Sequence, residues 1–198
     1  TAIAALETNA AHKKAFSSVG LADAWEKVVA IVVQPAVEFD HVQVIDYVSA
    51  NTAELQTALD EAPGLLFEAH STDYQTETNL SDLVDDHWAI LKVGPGLTFN
   101  LREAFFAMDA IEGHLVEDAA KRSNLVDVME HVMIEEPGYW ASYYEGSEHE
   151  QAIARKFSYS DRIRYYLPNP AIVAAFDQMV ANLAETGIPE PLISQYLP

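Results

Sequence analysis

The feature that most constrains the fold is a set of three short, nearly continuous apolar runs rich in β-branched residues. They are Val28–Val33, Leu65–Ala69 and Trp88–Val93. Near-continuous hydrophobicity over about 4–8 residues suits strands buried on both faces, as in a parallel sheet. Helical patterns separate the runs. Thr52-Ala53-Glu54-Leu55 opens on a threonine N-cap signal, and Ser81-Asp82-Leu83-Val84-Asp85 offers another. Strands alternating with helices predict βαβ units, and therefore the α/β class.

The pattern changes beyond residue 96. Thr98 is placed to cap a long amphipathic helix carrying Leu101, Phe105, Met108, Ile111 and Leu115. Ser123 is placed to cap another with Leu125, Val128, Met129 and Val132. An aromatic stretch, Pro137–Tyr144, follows, and Pro168-Asn169-Pro170 introduces a helix from about Ala171 to Ala184. No repeat or linker divides the 198 residues, so one domain is expected. A closed β/α barrel needs eight strands and about 250 residues. Three strands therefore belong either to a portion of a longer barrel or to a free-standing three-stranded α/β domain.

Charge removes several function classes. Thirty-one acidic against eleven basic residues give a formal net charge of −20, which repels nucleic acid and anionic lipid. The chain has no cysteine, which excludes disulfides, thiolate nucleophiles and Cys-ligated zinc. No apolar run approaches the roughly 20 residues that cross a bilayer. The opening Thr1-Ala2-Ile3-Ala4-Ala5-Leu6-Glu7 lacks the basic and apolar regions of a signal peptide. A cytoplasmic location is the resulting expectation.

Ligands of parallel α/β folds sit beyond the carboxyl ends of the strands, and each run here ends in polar residues. The first leads into Gln34-Pro35 and then Glu38-Phe39-Asp40-His41. The second gives Glu68-Ala69-His70-Ser71-Thr72-Asp73, and the third Lys92-Val93-Gly94-Pro95-Gly96-Leu97-Thr98. Glu68 and His70 are two apart and share a strand face. A lysine inside a buried strand needs a partner or a wet pocket, and an ion pair between Lys92 and Glu68 would satisfy both. That pair reads either as ligand contact or as a device fixing register. His70 and Asp73 supply metal-ligand atoms, with Asp40 and His41 as possible companions, yet no HExxH motif accompanies them. A glycine turn running into a helix, Gly94-Pro95-Gly96 before Thr98, presents backbone N–H groups suited to phosphate, or is simply a tight connection. Ser71 lies in the same set of polar ends. Arg162 and Arg164, in Ser158–Tyr166, either grip phosphate or carboxylate oxygens or form an internal aromatic and salt-bridge clasp, for instance with Asp161.

Several of these blocks resemble one family. They are Gln34-Pro35-Ala36-Val37-Glu38-Phe39-Asp40-His41, Phe67–Gln75, Ile90–Phe99, Ser158–Tyr166 and Ile193–Pro198. Together they look like the non-catalytic (Z) subunit of class II D-tagatose-1,6-bisphosphate aldolase, formerly labelled a tagatose-6-phosphate kinase. The resemblance implies an aldolase-type TIM (β/α)8 barrel of about twice this length. This chain would hold its last three βα units plus C-terminal helices, with a first half before Thr1 and a short tail after Pro198. It implies a role in supporting a zinc-dependent catalytic (Y) subunit, which cleaves tagatose 1,6-bisphosphate to glycerone phosphate and glyceraldehyde 3-phosphate, in tagatose 6-phosphate, galactitol or amino-sugar breakdown. His70-Ser71 resembles the penultimate-strand His motif that supplies a zinc ligand in the catalytic enzymes. Lys92-Val93-Gly94 resembles their last-strand Lys-Val-Asn, with Gly94 in place of the Asn.

On this basis the candidate substrate- or phosphate-binding residues are Glu68, Ser71, Lys92, Gly94, Gly96, Thr98, Arg162 and Arg164. His70 and Asp73 are the candidate metal ligands, zinc the candidate cofactor, and the catalytic subunit and a sugar phosphate the candidate partners. Tyr139–Tyr144 is an expected contact surface. A metal-dependent sugar-bisphosphate aldolase in its own right is the alternative. A kinase has the least support, because no nucleotide-binding motif is present.

Overall fold

The computed structural model describes residues 1–197, so Pro198 of the Ile193–Pro198 block lies outside the described residues. The chain divides into two compact units, Thr1–Gly94 and the residues from Pro95 on.

In chain order the first unit contains α1 (Ala2–Ser18), α2 (Ala22–Trp25), β1 (Ala30–Val33), β2 (Glu38–Phe39) and β3 (Val44–Ile45). Then come α3 (Ala53–Gln56), β4 (Leu66–Ala69), α4 (Glu77–Asp85) and β5 (Ile90–Leu91). The three expected strands all form, each shorter than its apolar run. They make one parallel sheet in the order β1-β4-β5, while β2 and β3 make an antiparallel pair. Val32, Glu68 and Ile90 lie abreast, as do Val33, Ala69 and Leu91.

This register gives the sheet two unlike faces. Phe67, Ala69, Ile31, Val33 and Leu91 join a buried cluster with Leu83, Ala58 and Trp88, and the Phe67 and Trp88 rings stack at 5.1 Å. The other face leaves Val32 53%, Leu66 47% and Ile90 37% exposed. A sheet covered by helices on one side and largely apolar on the other, with Glu68 among Val32, Leu66 and Ile90, is consistent with a partial α/β barrel.

Capping differs from expectation at two helices here. Thr76, not Ser81, caps α4, its side chain accepting from Asn79 N, and Ser81 falls inside the helix. Thr52 precedes α3 but makes no side-chain cap; its hydroxyl instead meets Tyr47 Oη at 2.9 Å. Tyr47 Oη also donates to Asp86 Oδ2 and accepts from Trp88 Nε1. This buried knot ties the chain after β3 to the end of α4. Tyr47→Phe is therefore expected to destabilise the unit by about 1–3 kcal/mol, since Trp88 Nε1 loses its acceptor; urea unfolding measures it.

The second unit holds α5 (Gly96–Leu115), α6 (Leu125–Glu135), α7 (Glu148–Phe157), α8 (Pro170–Thr186) and α9 (Glu190–Tyr196). Its core gathers Ile111, Leu125, Met129, Met133, Ile172 and Met179. These helices were expected around residues 98–115, 123–132 and 171–184, while α1 and α7 were not. Thr98 does not cap α5. The helix begins at Gly96, and the Thr98 hydroxyl donates back to Pro95 O. Ser123 does not cap α6 either: Asn124 takes the N-cap position with φ 48°, and Ser123 is held by Glu112.

Asp109, beside the start of α6, accepts weakly from Val126 N at 3.4 Å. Burial raises its pKa. The folded value then stands above the unfolded one, so the stability this group withholds at neutral pH returns as pH falls through the raised pKa. Asp109→Asn keeps an acceptor without the charge. It is expected to be more stable than wild type at pH 7, with the difference vanishing near pH 3, in denaturant titrations at the two values.

Candidate functional site

The carboxyl ends of β1 and β4 carry a cluster of polar side chains on short, bent connections. Glu68 and His70 point the same way, as their two-residue spacing requires, and His70 Nε2 lies 2.8 Å from Glu68 Oε1. Both are partly exposed, at 32% for His70 and 26% for Glu68. Just beyond, Ser71 has φ 61° and Tyr74 φ 65°, and after β1 Ala36 has φ 58°. Left-handed backbone in non-glycine residues is costly and collects where function needs it. The bend at Ala36 returns the chain so that Gln34 Nε2 donates to Glu38 Oε2 at 2.7 Å and to Ser71 Oγ at 3.1 Å. Gln34 and Glu38 were legible as polar strand-end residues, but nothing in their spacing announced this mutual contact.

The expected Lys92–Glu68 ion pair is not formed. The register sets Glu68 beside Ile90, so Lys92 lies a further two residues along, past the end of β5. Lys92 is exposed there, and Glu68 has His70 as its partner. Its backbone still belongs to the sheet end: Lys92 N donates to Ala69 O, and Thr72 Oγ1 donates to Lys92 O. Asp73 is buried, and both its oxygens accept from Gly94 N, at 2.8 and 2.9 Å. That glycine N–H is thus already engaged. A Cβ at Gly94 would stand 3.8 Å from Asp73 Oδ2, an ordinary contact, so packing does not force glycine here.

The residues offered for zinc do not converge. His70 faces Glu68, Asp73 faces Gly94 N, and Asp40 Oδ1 closes its own turn by accepting from Val42 N and Gln43 N. Those backbone donors hold the Asp40 carboxyl below its usual pKa. Among the described residues no group of three or more His, Asp or Glu side chains is arranged to hold a metal. The chain's own donor set therefore does not fit a zinc centre.

Gly96 and Thr98 form the first turn of α5 in the second unit. Within that unit Arg162 and Arg164 enter an aromatic clasp. The Arg162 guanidinium lies 3.4 Å from the Tyr143 ring centre, and Arg164 lies 4.8 Å from that of Tyr165 and donates to its hydroxyl. Asp161 instead approaches Arg102, with 3.6 Å between Oδ2 and Nε, and both side chains are almost fully buried. Arg102 also lies over the Phe99 and Phe106 rings. Sequence reading passed over Arg102; the available signal was a lone arginine on the apolar stripe of a long helix. Of the aromatic stretch, Trp140 and Tyr144 are buried, while Tyr139 and Tyr143 stay about half exposed. Burial pushes the Tyr144 hydroxyl up to about 12.

No helix among the described residues is long and apolar enough to cross a membrane. A solved structure described as a probable tagatose 6-phosphate kinase from Sinorhizobium meliloti 1021 superposes with a TM-score of 0.92 at 51% sequence identity. The match covers 100% of this chain and 51% of that chain, so the sequence spans about half the length of this relative. The family model described as D-tagatose-1,6-bisphosphate aldolase subunit GatZ/KbaZ-like matches residues 1–198. The chain belongs to the GatZ/KbaZ-like family of D-tagatose-1,6-bisphosphate aldolase subunits.

Proposed function

We propose that this chain is the C-terminal portion of a non-catalytic accessory subunit that stabilises and activates the catalytic subunit of a class II D-tagatose-1,6-bisphosphate aldolase. On this reading its three parallel strands are the last three of an aldolase-type (β/α)8 barrel, and residues 1–198 belong to a single domain. The pathway would be breakdown of tagatose 6-phosphate, galactitol or N-acetylgalactosamine. The observation that carries the reading is the family match over the whole chain.

The site chemistry supports an accessory role over independent catalysis. A class II aldolase needs a metal to polarise the substrate carbonyl, and here His70 is engaged by Glu68 and Asp73 by the Gly94 N–H rather than both being directed to a common point. Gly94 stands where the resemblance expects an asparagine, leaving no side chain for the reacting sugar. The kinase wording of the structural relative finds no nucleotide-binding motif in this sequence. In the first unit Glu68, Ser71, Lys92 and Gly94, and in the second Gly96, Thr98, Arg162 and Arg164, remain proposed sugar- or phosphate-contacting residues, each set taken by itself. Tyr139 and Tyr143, aromatic and half exposed, suit contact with a partner protein.

The test is cleavage of tagatose 1,6-bisphosphate by the full-length protein alone, with zinc supplied. No turnover above background is expected, and none gained in Gly94→Asn. Zinc-dependent turnover abolished by His70→Ala would instead establish an aldolase in its own right.

A further inference from the structure

We infer that Arg162, with Tyr139, Tyr143 and Tyr165 around it, anchors the docking surface for the catalytic subunit, and that it receives a carboxylate set among apolar side chains of that partner. The choice of partner rests on the accessory role proposed above. The chemistry of what docks rests on the patch itself, and for Arg162 it puts a carboxylate in place of phosphate. All four side chains belong to the second unit, on the segment after α6 and on the connection between α7 and α8.

The patch is one continuous row. The Tyr139 and Tyr165 rings stack at 5.4 Å, and the Arg162 guanidinium carbon lies 5.6 Å from the centre of Tyr165 and 3.4 Å from that of Tyr143. Tyr139, Tyr143 and Tyr165 are each between 41% and 54% exposed. A separation of 3.4 Å is van der Waals contact over the middle of the ring. It lays the guanidinium flat, so that its N–H groups point outward in its own plane.

Those donors are uncommitted among the described residues. Arg162 hydrogen-bonds there only through its backbone N–H, which donates to Tyr144 Oη. The other arginines are all engaged: Arg102 approaches Asp161, Arg155 grips Glu130, Arg122 donates to Val116 O and Arg164 donates to Tyr165 Oη. In a chain with thirty-one acidic and eleven basic residues, an arginine fixed by a ring yet paired with no carboxylate of its own is set to receive one from outside. The surroundings select the partner. Tyrosine and arginine carry much of the binding energy at protein interfaces, at centres from which water is excluded. Phosphate or a polyanion would find one fork on a surface of net charge −20. A carboxylate flanked by apolar groups covers the rings while it pairs.

Isothermal titration of the full-length protein with a catalytic class II tagatose-bisphosphate aldolase subunit tests this. Arg162→Ala is expected to weaken the complex about thirtyfold and Tyr139→Ala about tenfold. Arg162→Lys keeps the charge without the flat fork and should recover only part of the loss; with Tyr139→Ala it decides the case if Arg162→Ala does not fold. Lys121→Ala should leave the affinity unchanged, because it removes an exposed charge at the opposite end of α6 from Tyr139. Inorganic phosphate should weaken the complex no more than sodium chloride of equal ionic strength. Unchanged affinity in Arg162→Ala or Tyr139→Ala, full recovery in Arg162→Lys, or specific competition by phosphate would each overturn the inference. So would a dimer of the full-length protein that dissociates in Arg162→Ala, since a second copy would then be the occupant. Measuring support of the catalytic subunit on the same preparations separates the two readings. Support with affinity unchanged across the variants defeats this inference alone, and wild-type protein that forms no complex defeats the accessory role with it.

Discussion

Arg155→Ala is expected to lower the unfolding free energy by about 3–5 kcal/mol, among the largest effects of any single change in this chain. Arg155 is 5% exposed, and its Nε and Nη2 both donate to Glu130 Oε1 from α7 across to α6. Its guanidinium also lies 4.7 Å from the Trp140 ring centre. Truncation removes the cation, strands a mostly buried carboxylate and opens space beside the indole. The pair and the packing can be told apart. Arg155→Met keeps much of the volume and should still be costly, because Glu130 stays unpaired. Adding Glu130→Leu should recover most of the loss, since a well-packed apolar pair often matches a buried ion pair. Denaturant unfolding of the three variants checks this, and a double variant no better than Arg155→Met alone would refute the charge argument.

Glu112→Ala should be comparably severe. Glu112 is almost fully buried in the second unit, and its carboxylate accepts from Ser123 N, from Ser123 Oγ and from Asn182 Nδ2. It thereby fixes the turn before α6 and the C-terminal part of α8 to α5. Each buried donor left without a partner costs about 1–3 kcal/mol, so a loss of about 3–5 kcal/mol is expected after some water enters. Glu112→Gln keeps one carbonyl acceptor but turns an amide N–H toward the remaining donors, and should fall between wild type and alanine. Hydrogen-exchange protection at the Ser123 amide gives a local readout: it should collapse in Glu112→Ala while the β4 amides of the first unit stay protected.

Apolar periodicity made much of this fold legible. β1, β4 and β5 sit inside the three apolar runs, and α5, α6 and α8 follow stripes such as Ile111, Met129 and Ile172. The helix α1 escaped because its many alanines favour helix without marking a face. The helix α7 escaped although Ser147 and Glu150 form a capping box, a signal in plain view at S-x-x-E spacing. Caps at Ser81, Thr98 and Ser123 were misplaced because Ser and Thr hydroxyls find other local partners, as Thr98 does at Pro95 O.

The candidate site was legible to the extent that strand geometry governs it. The two-residue period placed Glu68 with His70, and that contact forms. Lys92 failed because register, which sets Glu68 against Ile90, cannot be read from either strand alone. The contact of Gln34 with Glu38 and Ser71 depends on positive-φ turns at Ala36 and Ser71, and neither residue type advertises one. Arg164 found the ring of its neighbour Tyr165, while Arg162 found Tyr143 and Asp161 found Arg102, both further back along the chain.

The accessory role is tested most directly by mixing the full-length protein with a catalytic class II tagatose-bisphosphate aldolase subunit. The quantity to follow is the half-life of bisphosphate cleavage at a fixed temperature. A longer half-life and higher specific activity in the mixture than for the catalytic subunit alone is the predicted result. An unchanged half-life and activity at saturating amounts of the added protein would contradict it.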